Sequence, residues 1–312
     1  MREAIDSAMR IGEAFRWFAD GQKLAWRALR AGTLGKAGLR PAVGAFARPL
    51  TAPSRYPEYA IMRELLAASV DLDDPATWLY DVSSPKLFSL LLAAHSRATV
   101  VATDIWKPAI DEADALRGGL GEDAARRLHL AVADGREPVP PALRPPGGSF
   151  AAAFSMSVIE HVEPDPGGDR LVLERLADAV RPGGVVVFSV PVDVAARSEY
   201  LPGEVYGRKP DGERGAFFQR VYDAASLRAL CASVAPRLRL DACVLSAWPS
   251  HPIMRLQPRF PTAVGFAGAS FPLLSSRFTI SAPSSDIPDI RAQGDAIVRL
   301  VVDGSAAGGS RP

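Results

Sequence analysis

Acidic and small polar residues follow four predicted strands, at the positions where those strands end. In chain order they are Asp81, Asp104, Asp134 with Gly135, and the run from Ser155 to His161. In an open parallel sheet, ligands bind beyond the carboxyl ends of the strands, where the strand order reverses. These residues are therefore the candidate site.

Their spacing suits an adenosine. Asp104 stands 23 residues beyond the first of these aspartates, close to the gap of roughly 20 residues at which an acidic residue meets ribose hydroxyls. Asp134 and Gly135 are placed to accept from the exocyclic amine of adenine, and Ile105 and Trp106 could cover its ring. Any one aspartate could instead be a loop or capping residue, but three at successive strand ends favour a ligand.

The elements that position these residues predict an α/β fold. From residue 71 onward, short apolar or β-branched runs alternate with helical segments, which is typical of parallel βαβ units. Seven strands are predicted, of which the last spans Ala296 to Val302. One helix, capped by Asp169, stops at Pro182, and another from about Ala224 is capped by Asp223.

Composition limits the class of protein. The chain has 312 residues, of which 48% are hydrophobic and 23% charged, as expected for one large globular domain with additions. The net charge of +1 creates no global field for nucleic acid, so no nucleic-acid partner is expected. Cys231 and Cys243 do not make a disulfide framework, which favours a reducing cytoplasm. The four histidines lack zinc spacing, so no metal site is expected.

Three further segments surround the predicted domain of residues 71–302. Residues 1–70 are predicted to be a helical extension, residues 247–290 an inserted cap-like segment, and residues 303–312 a disordered tail. From Met1 to Arg55 there are 10 Lys/Arg and 4 Asp/Glu. The extension is therefore either a helical buttress with a solvated basic face or an interfacial helix making peripheral membrane contact. The sequence does not indicate an oligomeric state.

The segments VVATDIW, LAVADGRE, FAAAFSMSVIEHV and LADAVRPGGVVVFSVP occur in that order. Over about residues 71–302 the chain thus resembles the class I S-adenosylmethionine-dependent methyltransferases. The resemblance implies a three-layer Rossmann-like sheet of seven mostly parallel strands with an antiparallel last strand. It also implies S-adenosyl-L-methionine as cofactor and a small-molecule or lipid-linked methyl acceptor.

The resemblance further implies roles for individual residues. Asp104 would hold the ribose and Asp134 the adenine, while Ser155, Met156 and Ser157 would line the floor beneath the methionyl arm. His161 would face the acceptor, either as general base for a hydroxyl or as a brace for the following loop. The predicted cofactor-binding set is Asp81, Ser83, Ser84, Lys86, Asp104, Ile105, Trp106, Asp134, Gly135, Ser155, Met156 and Ser157.

The chain departs from the family after the first strand, where a glycine-rich turn is usual and none is present. Because a left-handed non-glycine residue costs roughly 1 to 2 kcal/mol, the turn is expected to avoid that conformation. Ser84 would cap an early helix with Pro85 at its first position, leaving backbone N–H groups for the ligand. Lys86 would pair with the carboxylate of the cofactor or, alternatively, with Asp81 or solvent.

Two other classes of function stay open. A nicotinamide-dependent dehydrogenase would also use Asp104 on a ribose, but the chain lacks G-x-G-x-x-G after its first strand, and a parallel last strand would be needed. A non-catalytic scaffold with the methyltransferase fold would explain the glycine-free loop, although a scaffold does not need Asp104 and Asp134. Aromatic residues of the later segments could line an acceptor pocket, namely Tyr200, Tyr206, Phe217, Phe218, Tyr222 and Trp248.

Overall fold

The computed structural model describes residues 2–33, 53–163, 166–235, 237–250 and 271–303. The predicted tail beyond residue 303 and residues 251–270 of the predicted cap-like segment lie outside these ranges. Across the described ranges, none of the helices has the length and apolar character needed to span a bilayer.

Ten strands are described. They are β1 (Trp78–Val82), β2 (Thr99–Asp104), β3 (Leu128–Val132), β4 (Phe150–Met156), β5 (Val180–Val192), β6 (Arg197–Leu201), β7 (Ala216–Val221), β8 (Leu238–Ala247), β9 (Thr279–Ile280) and β10 (Gly294–Val302). Eight of them form one sheet in the order β3-β2-β1-β4-β5-β10-β8-β9, while β6 and β7 pair as a separate hairpin. β4 and most of β5 are buried on both faces, which explains their continuous apolar runs.

The predicted antiparallel last strand is confirmed, because β10 runs antiparallel to both β5 and β8. The sheet has eight strands rather than seven, since the two-residue β9 adds to the free edge of β8. β6 and β7 were not predicted as strands. The segment FFQRVYD contains most of β7, whose pairing with β6 depends on a partner about 20 residues away in sequence.

Helices cover both faces of the sheet. They are α1 (Arg2–Arg30), α2 (Arg55–Ala67), α3 (Lys86–Ala94), α4 (Lys107–Arg117), α5 (Glu122–Arg126), α6 (Gly168–Ala179), α7 (Ala224–Ser233) and α8 (Phe271–Leu274). Side chains of α1, α2 and α3 share one apolar core with one face of the sheet. Side chains of α6 and α7 share a second core with the other face. The predicted three-layer α/β architecture is therefore confirmed.

Two predicted helix caps have different outcomes. Asp223 accepts from the backbone N–H of Ser226 at 2.7 Å in a capping box, which confirms its prediction. The predicted cap by Asp169 is wrong, because α6 begins at Gly168, so Asp169 lies inside the helix. Its N-cap is Gly167, with φ of +115°. The Asp169 carboxylate instead accepts from the hydroxyl of Tyr222 at 2.6 Å.

The first helix is part of the core. The Trp17 ring stacks on the Phe88 ring of α3, with centroids 5.3 Å apart. Arg10 donates to both carboxylate oxygens of Glu64 in α2, at 2.7 and 2.8 Å. The apolar face of α1 thus packs against the protein itself, which supports the buttress interpretation of this helix.

Candidate functional site

The sheet fixes where a ligand would bind. The strand order runs outward from β1 through β2 to β3 on one side and from β4 to β5 on the other. The topological switch point therefore lies between β1 and β4, and the crevice beyond their carboxyl ends is the expected ligand site of such a sheet. All of the predicted cofactor-binding residues lie in or just after β1, β2, β3 and β4.

The loop after β1 differs from its prediction. Ser83 adopts a left-handed conformation with φ of +56°, so the expectation that the turn avoids this region is wrong. The early helix is also wrong, since α3 begins at Lys86 and Pro85 only precedes it. The N–H of Ser83 donates to Thr103 O at 2.9 Å, which ties the loop to β2. The sheet pairing on either side thus outweighs the local cost of the strained residue.

Ser84 connects the same loop to β4. Its N–H donates to Asp81 Oδ1 at 3.0 Å, and its hydroxyl oxygen accepts from the backbone N–H of Met156 at 2.9 Å. These two contacts replace the predicted helix-capping role. Because the N–H groups of Ser83 and Ser84 have partners within the protein, the donors left for a ligand at this loop are those that open α3.

Asp81 lies beneath the loop rather than beside the crevice. Its side chain is fully buried, and it accepts from the hydroxyl of Ser89 at 2.5 Å as well as from Ser84 N. Burial raises the pKa of Asp81, while the nearby Lys86 opposes that rise. This carboxyl group braces the junction between β1 and α3.

Lys86 joins the loop to the end of β2. Its ammonium donates to Ser84 O at 2.7 Å and lies 3.2 Å from Asp104 Oδ2 and 3.8 Å from Asp81 Oδ2. The side chain is buried. Lys86 is therefore held by its own chain, as the alternative interpretation of this residue expected, and it extends this pairing to Asp104.

Asp104 and Asp134 are both engaged in contacts within the protein. Asp104 Oδ1 accepts from the N–H of Trp106 at 2.9 Å, while Oδ2 faces Lys86. Asp134 accepts from three N–H groups of Arg136, the backbone N, Nε and Nη2, and the shortest contact is 2.6 Å. These hydrogen bonds lower the pKa of Asp134. A carboxylate has about four lone-pair sites, so each aspartate keeps room for a further donor.

The crevice wall around these aspartates is close-packed on one side and open on the other. A Cβ on Gly135 would lie 2.3 Å from Val82 Cγ1, so only glycine fits there. Ile105 and Trp106 are 59% and 64% exposed. Two large apolar side chains beside the ribose-type carboxylate are suited to cover a planar ring.

The residues at the end of β4 are buried. Ser155 donates from its hydroxyl to Val82 O at 2.9 Å, and Met156 is fully buried. Ser157 has φ of +48°, and its N–H approaches Ser189 O at 3.1 Å and Ser189 Oγ at 3.0 Å. These contacts hold the end of β4 against the loop after β1, as a floor of the crevice requires.

His161 lies at the next turn, in a short 3-10 helix from Ile159 to His161. Its Nδ1 is 2.6 Å from Phe218 O. A carbonyl only accepts, so Nδ1 carries the proton and Nε2 is the basic nitrogen. Burial lowers the pKa of His161 to about 4, so the ring is neutral at pH 7. The Tyr206 ring lies 5.2 Å away by centroids.

A cluster of charged residues near Ser157 was not identified from the sequence. Arg55 pairs with Glu58 at 2.6 Å and also donates to Ser157 Oγ, which itself donates to Glu58 Oε1 at 3.0 Å. Glu160 and Asp295 lie close enough to this pair for mutual electrostatic effects. Only Glu160, adjacent to His161 in sequence, had a detectable signal. α2 and β10 contribute the others from more than 95 residues away on either side.

One family model matches the central part of the chain. Residues 82–188, about a third of the chain, match the family model described as "Methyltransferase domain". The matched segment runs from the end of β1 to within β5 and so contains the crevice. The sheet order and the antiparallel last strand match the fold of a class I Rossmann-like methyltransferase. No curated protein matches the chain.

Solved structures resemble the chain more distantly. The [4+2]-cyclase SpnF is 16% identical, with 78% of this chain and 81% of that chain covered and a TM-score of 0.45. The N-methyltransferase NodS from Bradyrhizobium japonicum WM9, in complex with S-adenosyl-L-homocysteine, is 12% identical, with 80% and 88% covered and a TM-score of 0.44. The glycopeptide N-methyltransferase MtfA is 12% identical, with 81% and 94% covered and a TM-score of 0.44.

Proposed function

We propose that the protein is an S-adenosylmethionine-dependent methyltransferase acting on a small-molecule acceptor. The observation that carries this proposal is the set of carboxylates after β2 and β3, beside the switch point of a methyltransferase-type sheet. A dehydrogenase does not fit, because the last strand is antiparallel and the pyrophosphate loop G-x-G-x-x-G does not follow β1. The lipid-linked acceptor and the membrane contact stay predictions.

The residues present fit an adenosyl group. Asp104 would accept from the ribose hydroxyls, and Asp134 from the exocyclic amine of adenine. Ile105 and Trp106 would cover the ring, and Gly135 lets the backbone approach where a Cβ would collide. Bound there, the cofactor would supply an already activated methyl group. The chain would then contribute alignment of the acceptor and exclusion of water.

Lys86 would compete with a ribose hydroxyl for Asp104. Because its ammonium lies 3.2 Å from Asp104 Oδ2, a ribose hydroxyl must share this oxygen with Lys86 or displace the ammonium. On this proposal Lys86 neutralises Asp104 in the free protein. It would also limit the affinity for the nucleoside.

His161 is the proposed base for a hydroxyl acceptor. Its Nε2 is oriented by the hydrogen bond from Nδ1 to Phe218 O, and the ring is neutral at pH 7. With a pKa of about 4 it is a weak base, which favours a role in positioning the acceptor together with Tyr206. Methylation by His161→Ala at the wild-type rate would exclude both roles.

One observation favours a second candidate function, a non-catalytic protein with the methyltransferase fold. Both Asp104 and Asp134 are engaged by cations of the chain itself, as a protein that had lost its cofactor could leave them. Isothermal titration calorimetry with S-adenosylhomocysteine separates the two. We expect binding in the micromolar range for the methyltransferase, with Asp111→Asn unchanged as control. Absence of binding at millimolar ligand would favour the scaffold.

A further inference from the structure

Three buried carboxyl groups from separate elements lie within electrostatic range of one another beside the end of β4. Glu58 belongs to α2, Glu160 to the 3-10 helix after β4, and Asp295 to the start of β10. Each residue is at most 1% exposed. Acidic side chains are almost never so buried unless they are paired, so each of the three raises the question of its partner.

The cations around the cluster match only part of its charge. Arg55 pairs with Glu58 at 2.6 Å. Arg220 of β7 donates to backbone carbonyls, including Val162 O at 2.9 Å, and its Nε lies 3.8 Å from Asp169 Oδ2. Tyr206, Tyr222 and the neutral His161 are further titratable groups near Glu160. Within the described ranges, neither Glu160 nor Asp295 forms an ion pair with an arginine or lysine. Arg55 and Arg220 act on Glu160 only at longer range, and Asp295 accepts a hydrogen bond from Trp248 Nε1.

Glu160 has an oxygen without a partner. In the part of the chain that the structure describes, its Oε2 is buried and makes no hydrogen bond, and its Oε1 lies 3.6 Å from His161 Nε2. Burial raises the pKa of Glu160 to about 8. The pKa of Asp295 is also raised, by burial and then by Glu58. A buried acceptor with no donor costs free energy that a ligand donor would recover.

We infer that Glu58, Glu160 and Asp295 form the binding site for the ammonium group of an amine acceptor. An ammonium carries a positive charge and N–H donors but no acceptor, which complements a cluster with an unpaired carboxyl oxygen. A metal ion fits less well, because no group of three or more potential ligands in the described ranges has suitable geometry. This inference rests on the proposed function for the amine's later fate.

Glu160 also has a chemical role at this site. An ammonium nitrogen has no lone pair, so it must lose a proton before it can accept a methyl group. The N–H bond breaks, its electron pair stays on nitrogen, and the proton goes to Oε2 of Glu160, which becomes a neutral carboxylic acid. A base with a pKa near the working pH suits this transfer. The substrate class is then a primary or secondary amine, and the reaction an N-methylation.

The test follows the carboxyl carbon of Glu160 by NMR in protein labelled with ¹³C at glutamate side-chain carboxyls. The Glu160 resonance is identified by its loss in Glu160→Gln, and the exposed Glu137→Gln is the matched control. We expect methylammonium chloride to lower the pKa of Glu160 by at least one unit. Sodium chloride at equal ionic strength should leave it unchanged. A pKa that methylammonium does not move would overturn the inference.

A second variant guards against misfolding and a second titration separates the two proposals. Asp295→Asn keeps Glu160 observable, and we expect the methylammonium concentration for half the effect to rise at least fivefold. An unchanged concentration would remove Asp295 from the site. S-adenosylhomocysteine is titrated into the same samples. Nucleoside binding without a methylammonium effect refutes only the amine site, whereas the reverse refutes only the methyltransferase function.

Discussion

Two acidic regions lie at the carboxyl edge of the sheet, and they differ in the burial and the partners of their carboxyl groups. Beyond β2 and β3, Asp104 and Asp134 are partly accessible, and each has a cation of its own chain beside it. Beyond β4, Glu160 and Asp295 are buried and have raised pKa values. The first region already has donors and can exchange one for another, whereas carboxyl groups of the second are buried without a paired arginine or lysine.

This difference indicates the kind of ligand each region can take. An ionised carboxylate that already has donors can bind neutral hydroxyl and amine groups with little change in charge. A buried carboxyl without a donor gains most from a ligand that brings both a proton donor and a charge. Both proposed sites consist of carboxyl side chains, so their different ligands would follow from the difference in burial and not from residue type.

The largest effect should appear in the pH dependence of stability. A carboxyl whose folded pKa is raised disfavours folding once it is ionised, so the wild type should lose stability as pH rises from about 4.5 to about 8. Glu160→Gln removes this loss. Since one pKa unit is about 1.4 kcal/mol, we expect the variant to gain a few kcal/mol over wild type by pH 8 and almost nothing near pH 4.5. Urea unfolding measures the difference, and parallel curves for the two proteins would contradict it.

Asp104→Asn should lower the affinity for the nucleoside without affecting the buried carboxyl groups. Losing the charged acceptor of ribose hydroxyls costs about 2 kcal/mol, so the dissociation constant for S-adenosylhomocysteine should rise about thirtyfold by calorimetry. Asp111→Asn is the matched control, because Asp111 is an exposed carboxylate in α4 that pairs with Lys107. The pKa of Glu160 should not change in Asp104→Asn. Equal affinities for the two variants would mean that Asp104 does not hold the ribose.

Lys86→Met should have a smaller effect of the opposite sign. Removing the ammonium frees Asp104 Oδ2, so the affinity for S-adenosylhomocysteine should rise about fivefold, or about 1 kcal/mol. The free energy of unfolding should fall, since Asp81 loses its nearby cation. Lys107→Met, at the corresponding first position of α4, should change neither quantity much. A drop in affinity would instead support the prediction that Lys86 binds the carboxylate of the cofactor.

The smallest effect concerns the loop between β1 and α3. Ser83→Gly removes the strain of a left-handed serine, but the unfolded chain becomes more flexible, so we expect a gain of about 0.5 kcal/mol. Gly135→Ala should have the opposite sign, because its Cβ would meet Val82 Cγ1. Thermal unfolding of both variants tests this pair. Destabilisation by Ser83→Gly would show that the serine side chain makes a contact that outweighs its strain.

The sequence located Asp104 and Asp134 but not the buried carboxyl groups of Glu58 and Asp295, for a physical reason. Strand ends are readable from apolar runs, and parallel strands bring their ends together, so Asp104 and Asp134 could be placed without knowing any contact. Glu58 and Asp295 come from opposite ends of the chain and have no local pattern that marks them. Their meeting depends on how α2 and β10 pack, which no short segment encodes.

The glycine-free loop shows a second limit. Local propensity favoured a helix capped by Ser84, yet Ser84 bonds to Met156 and Ser83 bonds to Thr103. Hydrogen bonds across the sheet outweighed the preferences of the individual residues. The hairpin of β6 and β7 was missed for the same reason, because neither strand is predicted from its own sequence without the pairing to the other.

The stacking of Trp17 on Phe88 has a practical consequence for anyone shortening the chain. A fragment trimmed to residues 82–188 would lack most of β1 and the aromatic partner of α3, the helix whose first residue is Lys86. The apolar side of α3 would then be exposed to solvent, which would favour self-association of the fragment. Trimming the protein to the matched family segment would therefore remove structural support from the crevice beyond β1 and β4.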